Sequence, residues 1–116
     1  MENALYPAAT LEIAKKREQL TPETLTAWRA FSRQVFADGA LPSKTKDLIA
    51  IAVAHVTQCP YCIRAHTKSA LASGATDKEI MEAIWVAAEM RAGGAYAHAT
   101  LMLSTAEEAA ATHRHT

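Results

Sequence analysis

The two cysteines of this chain lie in one short segment that also holds two of its five histidines. The segment HVTQCPYCIRAH covers residues 55–66, with the spacing His55-x3-Cys59-x2-Cys62-x3-His66. Two thiols separated by two residues can form a redox-active disulfide, and thiols with imidazoles can also bind zinc. The segment therefore raises two hypotheses, a redox dithiol and a metal site.

A helix that begins near Cys59 would favour a thiolate at Cys62. Pro60 suits the first helical turn, because its missing N–H is not needed there. Cys62 would then lie in that turn, near unpaired backbone N–H groups and the positive end of the helix dipole. His66 follows four residues later on the same helical face, where it can act as a base or hold the thiolate as an imidazolium.

A base of this kind needs an orienting partner, and Asp47 is the nearest acid, twelve residues before Cys59 in an otherwise apolar helix. The helix-start argument also makes Cys59 a candidate nucleophile. The CPYC sequence matches the glutaredoxin-type dithiol, in which the first cysteine attacks, but that fold needs strands that this sequence does not predict. The four-residue spacing to His66 favours Cys62.

The zinc hypothesis depends on how the segment bends, since Cys2His2 is an established structural ligand set. In one continuous helix His55 and His66 would lie about 16 Å apart, too far to share a metal ion. A break near residues 57–58 would instead bring both cysteines and one histidine together. We expect no bound metal, and we interpret His55 as a histidine that is bonded within an interface or lines the site.

Helical signals run along the chain and predict an all-α fold in a single domain, residues 1–116, with about five or six helices and a core motif region at 43–103. Thr21 and Ser43 are predicted N-caps, and Thr76 with Glu79 forms a predicted capping box. The predicted helices cover 11–19, Pro22 until Gly39, Ser43 through Val56, Cys59 or Pro60 to about Ser73, and Thr76 to about Leu103, followed by a frayed end from residue 105.

Two of the predicted helices are too apolar for a small monomer. Residues 48–56 carry no charged side chain, and residues 83–103 carry only Glu89 and Arg91. A helix that is apolar on all sides must be buried on all sides. Gly93 and Gly94 would each destabilise an exposed helix by about 1 kcal/mol relative to alanine. Close approach of another helix would offset this cost; the alternative is that the two glycines kink the helix. We expect an intertwined homo-oligomer, and a core that includes Trp28, Phe31, Trp85 and Met90.

The overall composition excludes several classes of protein. Twelve basic and twelve acidic residues give a formal net charge of zero, and no basic cluster indicates nucleic-acid binding. No stretch reaches transmembrane length, and the start lacks the pattern of a secretory signal. We expect a cytoplasmic protein with no nucleic-acid or membrane partner. In that compartment a C-x-x-C pair is more often catalytic or metal-binding than structural.

The stretch from Asp47 to Leu103 resembles the carboxymuconolactone decarboxylase superfamily, specifically its alkyl hydroperoxidase D (AhpD)-like branch. That branch carries an acid, eleven residues and then C-x-x-C-x-x-x-H, which here reads Asp47, LIAIAVAHVTQ, CPYC, IRA and His66. The Gly-Ala-Thr turn and the long final helix are also similar. The resemblance implies a compact AhpD-like helical domain that assembles as a trimer or hexamer.

The resemblance further implies a thiol peroxidase without a cofactor. Cys62 matches the peroxidatic cysteine, Cys59 the resolving cysteine, and His66 the base, which Asp47 would orient. A small hydroperoxide would oxidise Cys62, and an external thiol or lipoyl-type reductant would reopen the resulting disulfide.

Two positions depart from the branch. Its usual acid is Glu, and because Asp47 is one methylene shorter, a water is expected between it and His66. Tyr61 stands where better-known members have a His, so it either borders the substrate entrance or shields the disulfide. The alternatives are the decarboxylase chemistry that names the superfamily, which needs no dithiol, and a non-catalytic redox-sensing or metal-binding module.

Overall fold

A computed structural model describes residues 5–114 of the chain. Within that range the chain forms six α-helices and no strand. The helices are α1 (Leu11–Leu20), α2 (Pro22–Phe36), α3 (Ser43–Thr57), α4 (Pro60–Ala72), α5 (Asp77–Ala97) and α6 (Ala99–Arg114). The prediction of an all-α fold is confirmed. The last two residues of the predicted frayed end lie outside the described residues.

The turn between α3 and α4 is short and has a definite cause. Gln58 adopts the left-handed conformation, with φ 57° and ψ 52°, and ends α3. Left-handed residues commonly terminate helices because they turn the chain while the last carbonyls stay bonded. The N–H of Cys59 bonds to the carbonyl of Ala54 at 3.1 Å, and α4 begins at the next residue. The chain therefore bends at residues 57–58, the position considered above for a break in the zinc hypothesis.

The start of α5 follows the predicted capping box. The Thr76 hydroxyl accepts a hydrogen bond from the Glu79 N–H at 3.1 Å, and the Glu79 carboxylate accepts one from the Thr76 N–H at 2.9 Å. Gly74 precedes this box with φ 93°, a conformation that glycine adopts without strain. These local signals were sufficient to place the α4–α5 turn.

A small core forms where α3, α4 and α5 pack together. Ile51 of α3 and Ala70 of α4 are fully buried, and Ala75 and Ile80 complete the cluster. The starts of α3 and α5 are joined by an ion pair between Lys44 and Glu79, at 2.9 Å. At the other end Arg91 donates to the carbonyl of Val56 at 3.1 Å, so α3 and α5 run parallel.

The N-terminus of α3 is capped differently from the prediction. Ser43 is the first helical residue, and the N-cap position belongs to Pro42, whose side chain makes no capping bond. The carboxylate of Asp38 instead accepts a hydrogen bond from the Ser43 N–H at 2.7 Å. The prediction of Ser43 as the cap is therefore wrong, because an acid five residues earlier fills that role.

The C-terminal part of the chain also differs from the prediction. The long helix ends at Ala97 rather than near Leu103, and His98 interrupts it. The His98 ring nitrogen Nδ1 lies 2.6 Å from the carbonyl oxygen of Gly94, which satisfies a carbonyl at the end of α5. A new helix, α6, then continues to Arg114, so the segment expected to fray is helical as far as that residue.

The isolated chain is elongated, with extents of 67 × 35 × 35 Å and a radius of gyration of 21.2 Å. A compact domain of 100 residues would have a radius of gyration of about 13 Å. The chain alone therefore lacks the compactness that we expected. The predicted core aromatics and Met90 are exposed in it: Trp28 by 64%, Phe31 by 51%, Trp85 by 65% and Met90 by 64%. None of the helices within residues 5–114 combines the length and apolarity needed to cross a bilayer.

The ion pair at the start of α5 predicts a pH-dependent stability. The Lys44 ammonium, followed by the Thr76 N–H, holds the pKa of Glu79 below its ordinary value of 4.5. A lowered folded-state pKa stabilises the protein above the unfolded pKa, and this contribution is lost as the pH falls through the folded value. We expect Glu79→Gln to lower the melting temperature at neutral pH, with a difference from wild type that shrinks below about pH 4.5.

Circular dichroism melting curves across this pH range would measure the effect. Glu82→Gln is a matched control, because it removes an exposed acid from the same helix that has no ion pair among the described residues. Equal, pH-independent shifts for the two variants would contradict the prediction.

Candidate functional site

The two cysteines are joined in a disulfide at the N-terminus of α4. Their Cα atoms lie 5.3 Å apart, within the range that a disulfide requires. Cys59 is the N-cap residue, and its Sγ accepts a hydrogen bond from the Cys62 N–H at 3.2 Å. Cys62 therefore lies in the first turn of the helix, as the sequence predicted, and Cys59 caps it.

Asp47 is the buried polar side chain of the described structure, with 2% exposure. Its Oδ2 accepts a hydrogen bond from the Ser69 hydroxyl at 2.9 Å, and its Oδ1 lies 3.5 Å from His66 Nδ1. Asp47 lies near the start of α3, and both partners lie at or beyond the middle of α4. The two helices therefore run antiparallel, with this carboxylate between them. The shorter Asp side chain thus approaches the imidazole directly, at ion-pair distance, where we had expected a bridging water.

Ser69 is a site residue that the sequence reasoning missed. It lies three residues after His66, which places both on one face of α4. That spacing was visible in the sequence, but nothing there showed that Asp47 would face this side of the helix. A buried carboxylate requires partners for both oxygens, and Ser69 supplies the shorter of the two contacts.

His66 is held on two sides. The ring of Phe36, at the end of α2, stacks on the imidazole with ring centroids 4.9 Å apart and an interplanar angle of 28°. The Nδ1 atom is the ring nitrogen that lies near Asp47, at 3.5 Å, so Nε2 is the nitrogen left free of this carboxylate. Asp47 and Phe36 together limit rotation of the ring.

A cavity of about 430 Å³ opens beside Cys62 and His66. Its volume lies within the range of small-molecule binding sites. The wall is apolar apart from a few groups, and it is built from α2, α3 and α4. Besides Cys62 and His66, the lining residues are Val35, Phe36, Lys46, Ile49, Ala50, Val53, Ala54 and Thr57.

His55 and Tyr61 lie outside this cavity. The His55 ring nitrogen Nδ1 is 2.7 Å from the carbonyl oxygen of Ile51, and its side chain lines a separate depression. The Tyr61 hydroxyl donates to the carbonyl of Pro7 at 2.7 Å, and its ring contacts that of Tyr6 edge to face at 6.0 Å. In the single chain, neither residue borders the cavity that contains Cys62. Tyr61 instead anchors the segment that precedes α1.

No group of three histidine, cysteine, aspartate or glutamate side chains within residues 5–114 is placed to hold a metal ion. Both cysteines are bonded to each other, and His55 and His66 line different cavities. The zinc hypothesis therefore finds no ligand set in this part of the chain.

These features define a helical protein with a C-x-x-C disulfide beside an acid–histidine pair. The sequence model of the carboxymuconolactone decarboxylase family matches residues 22–112, and the chain belongs to that family. The resemblance inferred from the residues between Asp47 and Leu103 is thus confirmed.

The chain is similar to several individual proteins. The chain is 65% identical over 82 residues to uncharacterized protein 4 in the cox locus of Paracoccus denitrificans, covering 71% of this chain and 74% of that protein. It is 36% identical over 78 residues to an alkyl hydroperoxide reductase of Mycobacterium tuberculosis, covering 63% of this chain and 23% of that longer protein. An apo carboxymuconolactone decarboxylase family protein from Legionella pneumophila matches with a TM-score of 0.63 and 38% identity, covering 68% of this chain and 70% of that one.

The Asp47–Ser69 hydrogen bond predicts a measurable contribution to stability. Ser69→Ala leaves a buried carboxylate oxygen without its 2.9 Å partner, which costs about 1–3 kcal/mol for a group of this kind. Urea unfolding would measure the change in unfolding free energy. Ser73→Ala, at the exposed end of the same helix, should change it by less than about 0.5 kcal/mol. Equal losses for the two variants would mean that the contact to Asp47 contributes nothing.

Proposed function

We propose that the protein is a thiol-dependent peroxidase that reduces small hydroperoxides through its cysteine pair. The observation that carries the proposal is the position of Cys62, which pairs with Cys59 in a disulfide and shares a cavity with the oriented His66. Membership of the carboxymuconolactone decarboxylase family and the similarity to an alkyl hydroperoxide reductase support it.

In the first step Cys62 acts as the nucleophile. His66 accepts the thiol proton at Nε2, and the helix N-terminus stabilises the thiolate that results. The thiolate sulfur attacks one oxygen of the hydroperoxide, the O–O bond breaks, and the alkoxide leaves as an alcohol after taking the proton from His66. Cys62 is oxidised to a sulfenic acid, and the peroxide is reduced by two electrons.

In the second step Cys59 resolves the sulfenic acid. Its sulfur attacks the Cys62 sulfur, water leaves, and the disulfide seen in the structure is formed. An external dithiol, such as a lipoyl-type reductant, then supplies two electrons by thiol–disulfide exchange and restores both thiols. No cofactor enters this cycle.

Cys62 is the better candidate for the attacking thiol because of where the two sulfur-bearing residues lie. Cys62 lines the cavity together with His66, whereas Cys59 is not among its lining residues. One observation favours Cys59 instead: its Sγ accepts a hydrogen bond from the Cys62 N–H, as expected of an N-cap side chain. The two assignments therefore require a direct test.

Substitution of each site residue should separate these roles. Cys62→Ser should abolish peroxide reduction, and Cys59→Ser should react once and stop at a sulfenic acid on Cys62 that dimedone traps. His66→Gln removes the base and should slow the reaction by about 10²–10⁴-fold. Asp47→Asn should cost less, because Asp47 acts on the reaction only through the orientation and charge of His66. Stopped-flow peroxide consumption and mass spectrometry of the trapped adduct are the measurements.

Two outcomes would overturn the proposal or part of it. A sulfenic acid on Cys59 in the Cys62→Ser variant, with none on Cys62 in the Cys59→Ser variant, would reverse the two roles. Reduced wild-type protein that leaves a small organic hydroperoxide intact would refute the peroxidase function. That second result would favour a redox-sensing role or a decarboxylase reaction instead.

We also propose that the protein works as a homo-oligomer, as a trimer or hexamer. The long helix α5 leaves several large side chains exposed in the isolated chain, among them Trp85 at 65% and Tyr96 at 83%. Exposed apolar patches of this kind commonly mark protein–protein contacts. Apart from Gly94 itself, its two chain neighbours and the nearby backbone of its own helix, no described atom lies within 4 Å of a Cβ placed on Gly94, so another copy has room to approach there.

Gly94→Leu gives this proposal a sharp test, because the two states of assembly predict opposite effects. In an isolated chain the leucine enters open space and removes a helix-destabilising glycine, so it should be neutral or stabilising. If another helix packs against Gly94, the added side chain should weaken the assembly. We expect light scattering to show an oligomer for wild type and a lower mass for Gly94→Leu.

Gln19→Leu, which adds a leucine at an exposed position of α1, is the control and should keep the wild-type mass. A wild-type monomer at micromolar concentration would contradict the oligomer. An unchanged mass for Gly94→Leu would place the contact elsewhere on the chain.

A further inference from the structure

The cavity beside Cys62 is a trough that follows one face of α3. The α3 residues that line it recur at steps of three and four, as one helical face requires, and are Lys46, Ile49, Ala50, Val53, Ala54 and Thr57. From Lys46 to Thr57 the helix rises about 16 Å. Phe36 of α2 forms part of one wall, and Cys62 and His66 of α4 form part of another.

Lys46 gives this apolar trough its one permanent positive charge among the residues described as lining it. Its Nζ donates to the carbonyl of Ala37 at 2.6 Å, at the C-terminus of α2. An ammonium group has three N–H donors, and this bond uses one. Within residues 5–114 no carboxylate lies at ion-pair distance from Lys46.

The acids near Lys46 in sequence are engaged elsewhere. Asp38, beside Ala37, accepts the N–H of Ser43 at 2.7 Å. Asp47 is buried and faces Ser69 and His66. Within residues 5–114 the charge of Lys46 is therefore not paired with a carboxylate. A ligand that brings an anionic group to this position would complete the pairing, and the ion pair would be stronger beside an apolar wall than in water.

We propose that the trough takes amphipathic organic hydroperoxides whose apolar body lies along α3 and whose carboxylate pairs with Lys46. This inference rests on the proposed peroxidase function, since it names the substrate class of the same site. An apolar body is needed because hydrogen peroxide would contact very little of a cavity of about 430 Å³. The carboxylate fixes the direction of the ligand, so that its hydroperoxide group is carried towards Cys62.

Binding of an unreactive ligand tests the carboxylate site without any turnover. With the disulfide-bonded protein, calorimetry should show octanoate binding about tenfold or more tightly than 1-octanol, because a hydrogen bond to a charged group contributes on that scale. The difference should shrink at high salt. Lys46→Met should remove it, and Lys46→Arg should keep it. Lys78→Met removes an exposed lysine outside the trough and should leave it unchanged.

Kinetics with a matched pair of substrates supply the second readout. The hydroperoxide of linoleic acid should show a KM about tenfold below that of its methyl ester in wild type. In Lys46→Met the two KM values should become equal, with the ester little changed. A lysine that served only to cap α2 would change both substrates alike, so the ratio separates a binding role from a structural one.

The outcomes distinguish this inference from the peroxidase proposal. Lys46-dependent octanoate binding without reduction of either peroxide would refute the peroxidase and retain the anion-binding trough. Reduction of both peroxides with equal KM values, and octanoate binding no tighter than 1-octanol, would refute the inference and retain the peroxidase. Failure of wild type to bind octanoate at all, as expected if a second copy of the chain fills the trough, would also overturn the inference.

Discussion

The carboxylate of Asp47 lies between α3 and α4 with 2% exposure, and the geometry of the site depends on how it is satisfied. An unpaired buried charge would be strongly destabilising, so the two helices must meet in a register that gives both oxygens a partner. Ser69 and His66 provide those partners from one face of α4. The same register brings Cys62, one helical turn before His66, to the wall of the cavity.

The apolar helix α3 serves the core and the site with different faces. Ile51 is buried in the core cluster, while Ile49 and Val53 line the cavity and are about half exposed. Ala54, buried and also lining the cavity, lies where the two faces meet. This division explains why residues 48–56 need no charged side chain although the helix is not buried all round. It also means that the floor of the trough is held by the same packing that forms the core, which suits a site that must keep its shape.

Stability and chemistry are therefore coupled at Asp47, Ser69 and His66, because one buried contact supports both. A loss of activity on substituting any of them includes a contribution from altered helix packing. Lys46 differs in this respect, since it lines the cavity while its ammonium bonds to the carbonyl of Ala37 and not to Asp47. Under the proposed function, a substitution of Lys46 changes the substrates that are bound without disturbing the buried carboxylate.

The sequence by itself determined the features that depend on near neighbours in the chain. Helical geometry over three or four residues is enough to predict these features. They are the position of Cys59 and Cys62 at a helix start, the placement of His66 one turn after Cys62, and the Thr76–Glu79 capping box. The all-α fold followed from periodicity, and the family was recognised by the resemblance of Asp47, the cysteine pair and His66, in type and spacing, to its motif.

Only the tertiary structure decided which side chains from different helices meet. Ser69 was paired with Asp47, and Phe36 was stacked on His66, by the angle and register of helix packing, which no local pattern encodes. The exposure of Trp85 likewise depends on what surrounds α5, not on its own periodicity. A residue's type and spacing fix which face of a helix it occupies, but the neighbour that covers this face is set by the rest of the fold.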